Sequence, residues 1–278
     1  MRLARADFIV RCRRDPAERA KRHERQSCSH GQDDKRAGWR YGVAMTTLRV
    51  DVWSDIACPW CYVGKRRLEA AIAKVATQGA VDVHWHAFEL DPSAPRVRDT
   101  TQSYAARLAS KYRTSAARAE GMLAQMTETA ASEGLDFHFE RAQSGNTFDA
   151  HRLVHLAAER GVQDAVKERF LRAYFTEGEA IGDPEALARL AAEAGLDAAE
   201  ARAVLASDAH AEAVRSDEEA ARELGITGVP FFVIGGKLGV SGAQTADVLA
   251  GALSKGFELA ERSEASSPGP VCGPDGCA

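Results

Sequence analysis

Two cysteines two residues apart, Cys58-Pro59-Trp60-Cys61, stand where a strand pattern gives way to a helix pattern. This junction restricts the fold more than any other stretch of the chain. The largely apolar run Leu48–Trp53 before it reads as a buried strand. After it, Leu68, Ala71, Ile72 and Val75 recur at three- and four-residue steps, the period of a helix. Cys58 therefore falls at a helix N-terminus, where the helix dipole and free backbone N–H groups favour negative charge. The thiolate is the nucleophile in disulfide exchange, so this location is expected to activate Cys58. Cys61, one turn later, is placed to resolve a mixed disulfide. Pro59 has no N–H to lose and suits the first helical turn. Trp60 is expected beside the pair and exposed, either packing against a substrate chain or covering the helix face.

Composition sets the outer limits. The 278 residues are 45% hydrophobic, enough to bury a substantial core. Charge is uneven: residues 1–44 carry a net +6 and residues 45–278 a net −10. An acidic body argues against a nucleic-acid groove. No apolar run reaches the length of a membrane-spanning helix, and the N-terminus has no sustained apolar stretch of the kind a secretory signal needs. The expectation is a cytoplasmic protein, without membrane or nucleic-acid partners. There, lasting disulfides are rare, and a Cys-x-x-Cys pair is usually redox-active or metal-binding. Six cysteines are too few for a disulfide scaffold.

Residues 1–44 are Arg-rich with little periodicity, and read as disordered or as an extension upstream of Met45. The strand Leu48–Trp53 is followed by a helix from Pro59 to about Thr77 and a second strand, Val81–Phe88. From about Thr101 to Arg222 the pattern is almost wholly helical: segments at 101–111, 114–134, 147–160, 162–176, 183–194, 197–205 and 207–224, separated largely by glycines. Two short strands, Phe231–Ile234 and Leu238–Val240, turn at Gly235-Gly236, and a last helix runs from Ala243 to about Glu261. Residues 263–278 are rich in Ser, Pro and Gly and read as a flexible tail. The fold class expected is α/β: a thioredoxin-type core, residues 45–98 and 216–262, with a large all-helical domain inserted at residues 99–215.

Gly228-Val229-Pro230 directly before a strand is the second chemical element. A Pro entering a strand is unusual unless it has a specific task. A cis Val229–Pro230 bond would leave the Val229 backbone open to pair with an extended substrate; an ordinary trans junction is the alternative. The company of Cys58 and Cys61 favours cis.

Three stretches together, Cys58-Pro59-Trp60-Cys61-Tyr62-Val63-Gly64-Lys65-Arg66-Arg67, Ser144-Gly145-Asn146-Thr147-Phe148-Asp149-Ala150-His151-Arg152 and Gly228-Val229-Pro230-Phe231-Phe232, resemble DsbA-like thiol–disulfide oxidoreductases, specifically the FrnE-like branch. The resemblance covers about Leu48 to Leu253. It implies that Cys58 attacks, Cys61 resolves and Pro230 is cis beside them. It also implies that the Asn146–Arg152 segment begins a helix facing the active-site cleft; with it, Trp60, Val229, Asn146 and His151 are the candidate substrate-binding residues, a core role being the alternative for His151. Trp60 stands where DsbA proper has a His that stabilises the thiolate, so a less oxidising pair is expected, acting as reductase or isomerase.

Weaker candidates surround this core. Asp51 and Asp55 are both near the active-site strand, and Asp51 is the favoured buried acid for the Cys61 proton. A zinc half-site at Cys58 and Cys61 has no suitable second half, and His84 with His86, or His151 with His155, lack further ligands nearby. No metal and no obligatory cofactor are expected, with glutathione a candidate co-substrate. Cys272 and Cys277 flank the turn sequence Gly273-Pro274-Asp275-Gly276, close enough for a second redox pair; a metal-binding tail or an incidental pair are the alternatives.

The leading functional expectation is disulfide exchange on protein or small thiols, recharged by a thioredoxin or glutathione system. The runner-up is a glutathione-dependent isomerase or transferase of the hydroxychromene-carboxylate isomerase or kappa type. Those characteristically carry Ser at the attacking position, against Cys58 here. A third reading is a binding module that holds unfolded chains in an apolar cleft. The sequence leaves oligomeric state open.

Overall fold

A computed structural model describes residues 46–96 and 102–266. Cys12, Cys28, Cys272 and Cys277 lie outside the described residues, as do the expectations made for residues 1–44 and most of the tail. The central strand β1 (Thr47–Ser54) pairs in parallel with β2 (Ala80–Ala87) and antiparallel with β3 (Phe231–Ile234), which forms a hairpin with β4 (Leu238–Ser241). The sheet order is β2-β1-β3-β4. A parallel pair needs a crossover, and α1 (Pro59–Val75) provides it.

Both faces of β1 are covered, which is why its sequence is largely apolar. Leu48, Val50 and Val52 share one core with Phe232 and Ile234, against α1 and the last helix, α9 (Ala246–Ser266). That helix approaches closely at Gly256, where a Cβ would come within 2.6 Å of the Ile234 side chain. Trp53 lies on the other side, packed with Ala221 and Ile226.

Between β2 and β3 the chain forms α2 (Tyr104–Tyr112), α3 (Ala116–Ser132), α4 (Phe148–Glu159), α5 (Gln163–Arg172), α6 (Pro184–Glu193), α7 (Ala198–Leu205) and α8 (Ala211–Glu223). The sequence signals place these helices well. Asp183, for example, caps α6 by accepting from Ala186 N at 2.9 Å, with Pro184 next. Three details differ. The helix expected over 162–176 is α-helical only to Arg172 and continues as a π-helical turn, Ala173–Glu177, that buries both Tyr174 and Phe175. The boundary expected at 215/216 falls inside α8, because that helix packs against both α4 and β2 and has no break in its pattern. The last helix runs on to Ser266.

The helical insertion shares its core with the sheet. Tyr62 of α1 stacks on Phe137 at 5.8 Å, and Phe137 on Phe175 at 4.7 Å, so aromatic packing runs from α1 into the helices without a break. Charge adds a second tie. Lys65, buried on α1, reaches Asp164 at 3.1 Å and Glu168 at 3.2 Å on α5, and Arg66 also pairs with Glu168. Arg67 holds Glu133 at the end of α3 and donates to Ala243 O, each at 2.6 Å. The Lys65-Arg66-Arg67 run thus fixes α1, and the cysteines on it, to three neighbours. Among the described residues no helix is long and apolar enough to cross a membrane.

Candidate active site

The turn from β1 into α1 sets the first group in place. Asp55 follows the last strand residue, its carboxylate accepts from Ala57 N at 3.4 Å, and its carbonyl accepts from Cys58 N at 3.4 Å. Cys58 is then the N-cap of α1 with extended backbone, and Pro59 occupies the first turn. Both cysteines are free thiols; Cys58 is 4% exposed and Cys61 1%. Trp60, between them, is 46% exposed.

The second group comes from the far end of the chain. The Val229–Pro230 peptide is cis, and the Cys58 thiol donates to Val229 O at 3.5 Å. Pro230 O accepts from Gly242 N at 2.8 Å, which ties the loop to the β4 end. The Pro230 ring lies on Gly64: a Cβ there would meet Pro230 Cγ at 2.9 Å. Gly64 is therefore the position that lets α1 seat directly against Pro230.

The buried acid of the site is Asp55, 1% exposed, and not Asp51. Asp51 sits on β1 in the middle of a separate charge cluster, held by Arg49 at 2.6 Å and by His86 at 2.8 Å. Asp55, past the end of the strand, accepts from Leu90 N at 2.8 Å and meets His151 Nε2 at 3.4 Å. Burial opposes its charge, yet the hydrogen bonds from His151, Leu90 N–H and the Thr147 hydroxyl hold its carboxyl below the ordinary range.

A fourth group was not anticipated. Lys167, on α5, is fully buried and donates to Ser54 O at 3.2 Å, its ammonium 5.7 Å from the centre of the Trp85 ring. Burial pulls it down to about 8, against the raising influence of Cys61, Asp55 and Cys58. A signal for it existed: Lys167 stands three and four residues before Phe170 and Leu171, on the apolar stripe of its helix.

Ionisation at the two sulfurs departs from the expectation of a thiolate settled on Cys58. The hydrogen bond shared with Cys61, then burial and the Asp55 charge, push the Cys58 thiol well up. Cys61 is drawn down despite burial by that same hydrogen bond, the Lys167 cation and the Ser54 hydroxyl. The two sulfurs share one hydrogen bond, so the dithiol titrates as a unit.

Two residues expected at the cleft have their polar groups engaged within the chain. Asn146 spends its polar groups inside the fold: Oδ1 accepts from Phe148 N at 2.9 Å and Nδ2 donates to Pro92 O at 3.3 Å, bracing the loop before the helical insertion. His151 is 1% exposed and faces Asp55, so it orients the acid rather than bordering a cleft; burial keeps it below its ordinary value. Trp60, Val229 and Pro230 do lie with Cys58 at the end of α1.

A separate polar cluster lies on the α8 face. Asp217 Oδ1 pairs with His86 Nδ1 at 2.6 Å and Oδ2 with His155 Nε2 at 2.9 Å, while Oδ2 also accepts from Ala87 N at 2.8 Å. His86 stacks on Trp53 with ring centres 4.5 Å apart. The alternating His84 and His86 thus part company, since His84 meets Asp82 at 3.0 Å. Among the described residues no group of three or more His, Cys, Asp or Glu is arranged to hold a metal ion.

Comparisons with known proteins agree with this geometry. The Bacillus subtilis (strain 168) protein YwbO, uncharacterized, is 31% identical over 214 residues, 75% of this chain and 96% of YwbO. A crystal structure from Streptomyces coelicolor, described as a "probable DsbA oxidoreductase", SCO1869, is 44% identical with a TM-score of 0.73, covering 83% of this chain and 98% of its own. The cytosolic disulfide reductase DsbM from Pseudomonas aeruginosa with GSH has the same fold at 19% identity and a TM-score of 0.52, covering 78% and 99%. The model of the DSBA-like thioredoxin domain matches residues 49–254, and with Cys58, Cys61 and cis-Pro230 at one point of the fold, the chain belongs to the DSBA-like thioredoxin-domain family of oxidoreductases.

Proposed function

We propose that the protein exchanges disulfides with protein or small-thiol substrates through Cys58 and Cys61, acting as a reductase or isomerase in the cytoplasm. The observation that carries this reading is the contact of the Cys58 thiol with Val229 O, 3.5 Å, immediately before Pro230. There, an incoming chain would find the attacking sulfur, an open backbone edge at Val229 and the half-exposed Trp60 together. The Cys58 thiolate attacks one sulfur of the substrate disulfide; the substrate S–S bond breaks, its other sulfur leaves as a thiolate that takes up a proton, and a mixed disulfide with Cys58 remains. Cys61 then attacks Cys58 Sγ, the bond to the substrate breaks, and the substrate leaves as a thiolate that takes up a proton.

Two features support the reducing direction. Trp60 supplies no cation beside Cys58, and burial with the Asp55 charge keeps the Cys58 thiol high, so the dithiol is not stabilised as strongly as in a potent oxidant. Glutathione or a thioredoxin-type protein is the proposed reductant; the Pseudomonas aeruginosa neighbour with GSH shares the fold that would accept it. The isomerase or transferase alternative stays second because Cys58, and not Ser, holds the attacking position. Cys272 and Cys277 are proposed as a second pair that passes electrons to Cys58 and Cys61.

The test is the Cys58–Cys61 equilibrium against a glutathione redox buffer, with insulin reduction measured in parallel. The expected result is a reversible disulfide and catalysed insulin reduction, both lost in Cys58→Ser. Full activity in Cys58→Ser would overturn the reading.

A further inference from the structure

Lys167 poses an energetic problem that the fold alone does not answer. Its side chain is fully buried, and among the described residues no carboxylate lies within ion-pair distance of its ammonium. Its one hydrogen-bond acceptor is Ser54 O at 3.2 Å. An ammonium has three protons to donate and is expensive to bury without a compensating charge. Its charged and titratable neighbours come from three elements. From the β1–α1 turn come Asp55 and Cys58; from α1 come Cys61 and Lys65, the latter a like charge; from α4 comes His151. β2 offers only the Trp85 ring. Of these, Cys61 is the foremost anion in prospect, and Asp55 already has four hydrogen-bond donors of its own, Ala57 N, Leu90 N, His151 and the Thr147 hydroxyl.

A second buried group points the same way. Among the described residues the buried Ser54 hydroxyl has no partner of ordinary hydrogen-bond geometry, and the group it acts on is Cys61. Such orphans in a native core call for an explanation. A hydroxyl donor and an ammonium are thus assembled around one sulfur, one from the end of β1 and one from the helical insertion. The insertion is held in place for this: Lys65 and Arg66 clamp Asp164 and Glu168, which flank Lys167 on α5.

We propose that Lys167 is a positioning residue for Cys61: its ammonium, together with the Ser54 hydroxyl, compensates the Cys61 thiolate and so sets how readily the pair resolves a mixed disulfide. The inference rests on the disulfide exchange proposed above. In the resolving step the Cys61 thiolate forms the S–S bond to Cys58, the bond from Cys58 to the substrate sulfur breaks, and the leaving thiolate takes the proton that Cys61 had given up. No further oxidant or reductant is involved. Once the neutral disulfide has formed, Lys167 retains only Asp55 as an opposing charge, so the ammonium is stabilised in the reduced protein and less so in the oxidised one. The helical insertion would then be part of the redox chemistry, and not only a wall of the cleft.

The experiment compares the wild type with Lys167→Met, an unbranched side chain one atom shorter that removes the charge. In the reduced proteins the thiolate is followed by its ultraviolet absorbance against pH. Loss of the Lys167 charge is expected to move the first thiolate ionisation up by about one pH unit, roughly a tenfold loss of thiolate at a given pH below it. At a pH above both thiolate ionisations, the glutathione equilibrium is expected to shift about tenfold toward the disulfide, roughly 30 mV. A merely structural role would change the melting temperature and leave both titrations where they are. Coincident thiolate curves in a folded Lys167→Met protein would overturn the proposal. Should that variant not fold, the wild type alone decides: in carbon NMR of the lysine side chains, the buried lysine is expected to titrate at higher pH in the reduced than in the oxidised protein, and identical titrations would refute it. Failure of the wild type to form any disulfide in glutathione buffer would instead remove the proposed function, while the thiolate titration would still report on Lys167.

Discussion

Gly64→Ala is the sharpest probe of how the two halves of the site meet. In an ordinary helix the change adds stability, about 1 kcal/mol, because glycine is the poorer helix former. At Gly64 the new Cβ would stand 2.9 Å from Pro230 Cγ and 3.4 Å from Phe232 Cζ. Neither neighbour yields easily. Pro230 is a rigid ring whose carbonyl is held by Gly242 N, and Phe232 is wholly buried in the sheet. Overpacking of this kind costs about 1–3 kcal/mol, so a net destabilisation of about 1 kcal/mol is expected. To reach an ordinary carbon contact of about 3.5 Å, Pro230 must withdraw by roughly half an ångström, which also moves Val229 relative to Cys58. With misplacement costing about 100-fold per ångström, turnover should fall by roughly tenfold. Urea unfolding and insulin reduction measure the two quantities. Gly251→Ala on α9, where a Cβ would meet nothing within 4 Å, is the control, and is expected to stabilise. A Gly64→Ala protein more stable than the wild type and equally active would refute the reasoning.

The Asp217 cluster predicts a definite pH dependence of stability. Burial works against the His86 charge, but the Asp217 and Asp51 carboxylates raise the imidazole above its ordinary value. Its contribution is complete below the unfolded value of about 6.5 and is lost as pH rises through the higher folded value. Asp217, held well below the carboxylate range by His155 and His86 against burial, contributes fully above about 3.9 and loses this as pH falls through its lower folded value. Denaturation midpoints should therefore decline from about pH 6.5 upward, and Asp217→Asn should flatten that decline while lowering stability by about 3 kcal/mol. Asp55→Asn is expected to lower the Cys58 ionisation, since the Asp55 charge raises it; a thiolate titration that moves up would contradict this. The double variant Cys272→Ser, Cys277→Ser is expected to slow turnover by thioredoxin-type reductants, and unchanged rates would remove the tail pair from the reaction.

What the sequence made legible was local. The strand, the Cys-x-x-Cys pair and the helix after it are encoded within about thirty consecutive residues, and the glycine-separated helices announce their own ends. Pro230 was legible through its company: before a strand alone an ordinary trans bond is the simpler reading, and the Cys58–Cys61 pair is what favoured cis. Asp55 was harder: Asp51 and Asp55 differ by four residues, but β1 ends at Ser54, so only Asp55 turns back beneath Cys58. The parity of a strand says nothing about a residue beyond its end. His151 and Asn146 were read as cleft residues from a motif, whereas that motif mainly joins α4 to Asp55 and to the preceding loop, with Arg152 donating to Ala209 O at 2.8 Å and to Asp149 at 2.9 Å. Lys167 was hidden because its meaning depends on where α5 docks, a tertiary fact set by Lys65, Arg66 and the Tyr62 aromatic contacts.

The division of labour between the two sulfurs is the central claim, and trapping tests it most directly. Cys61→Ser removes the resolving sulfur and leaves Cys58 beside Val229 O. Mixed with a disulfide-bonded peptide, Cys61→Ser is predicted to accumulate a covalent mixed disulfide at Cys58, seen by mass spectrometry of the non-reduced protein, while Cys58→Ser forms none. Accumulation in Cys58→Ser and not in Cys61→Ser would assign the attack to Cys61 and would contradict the account.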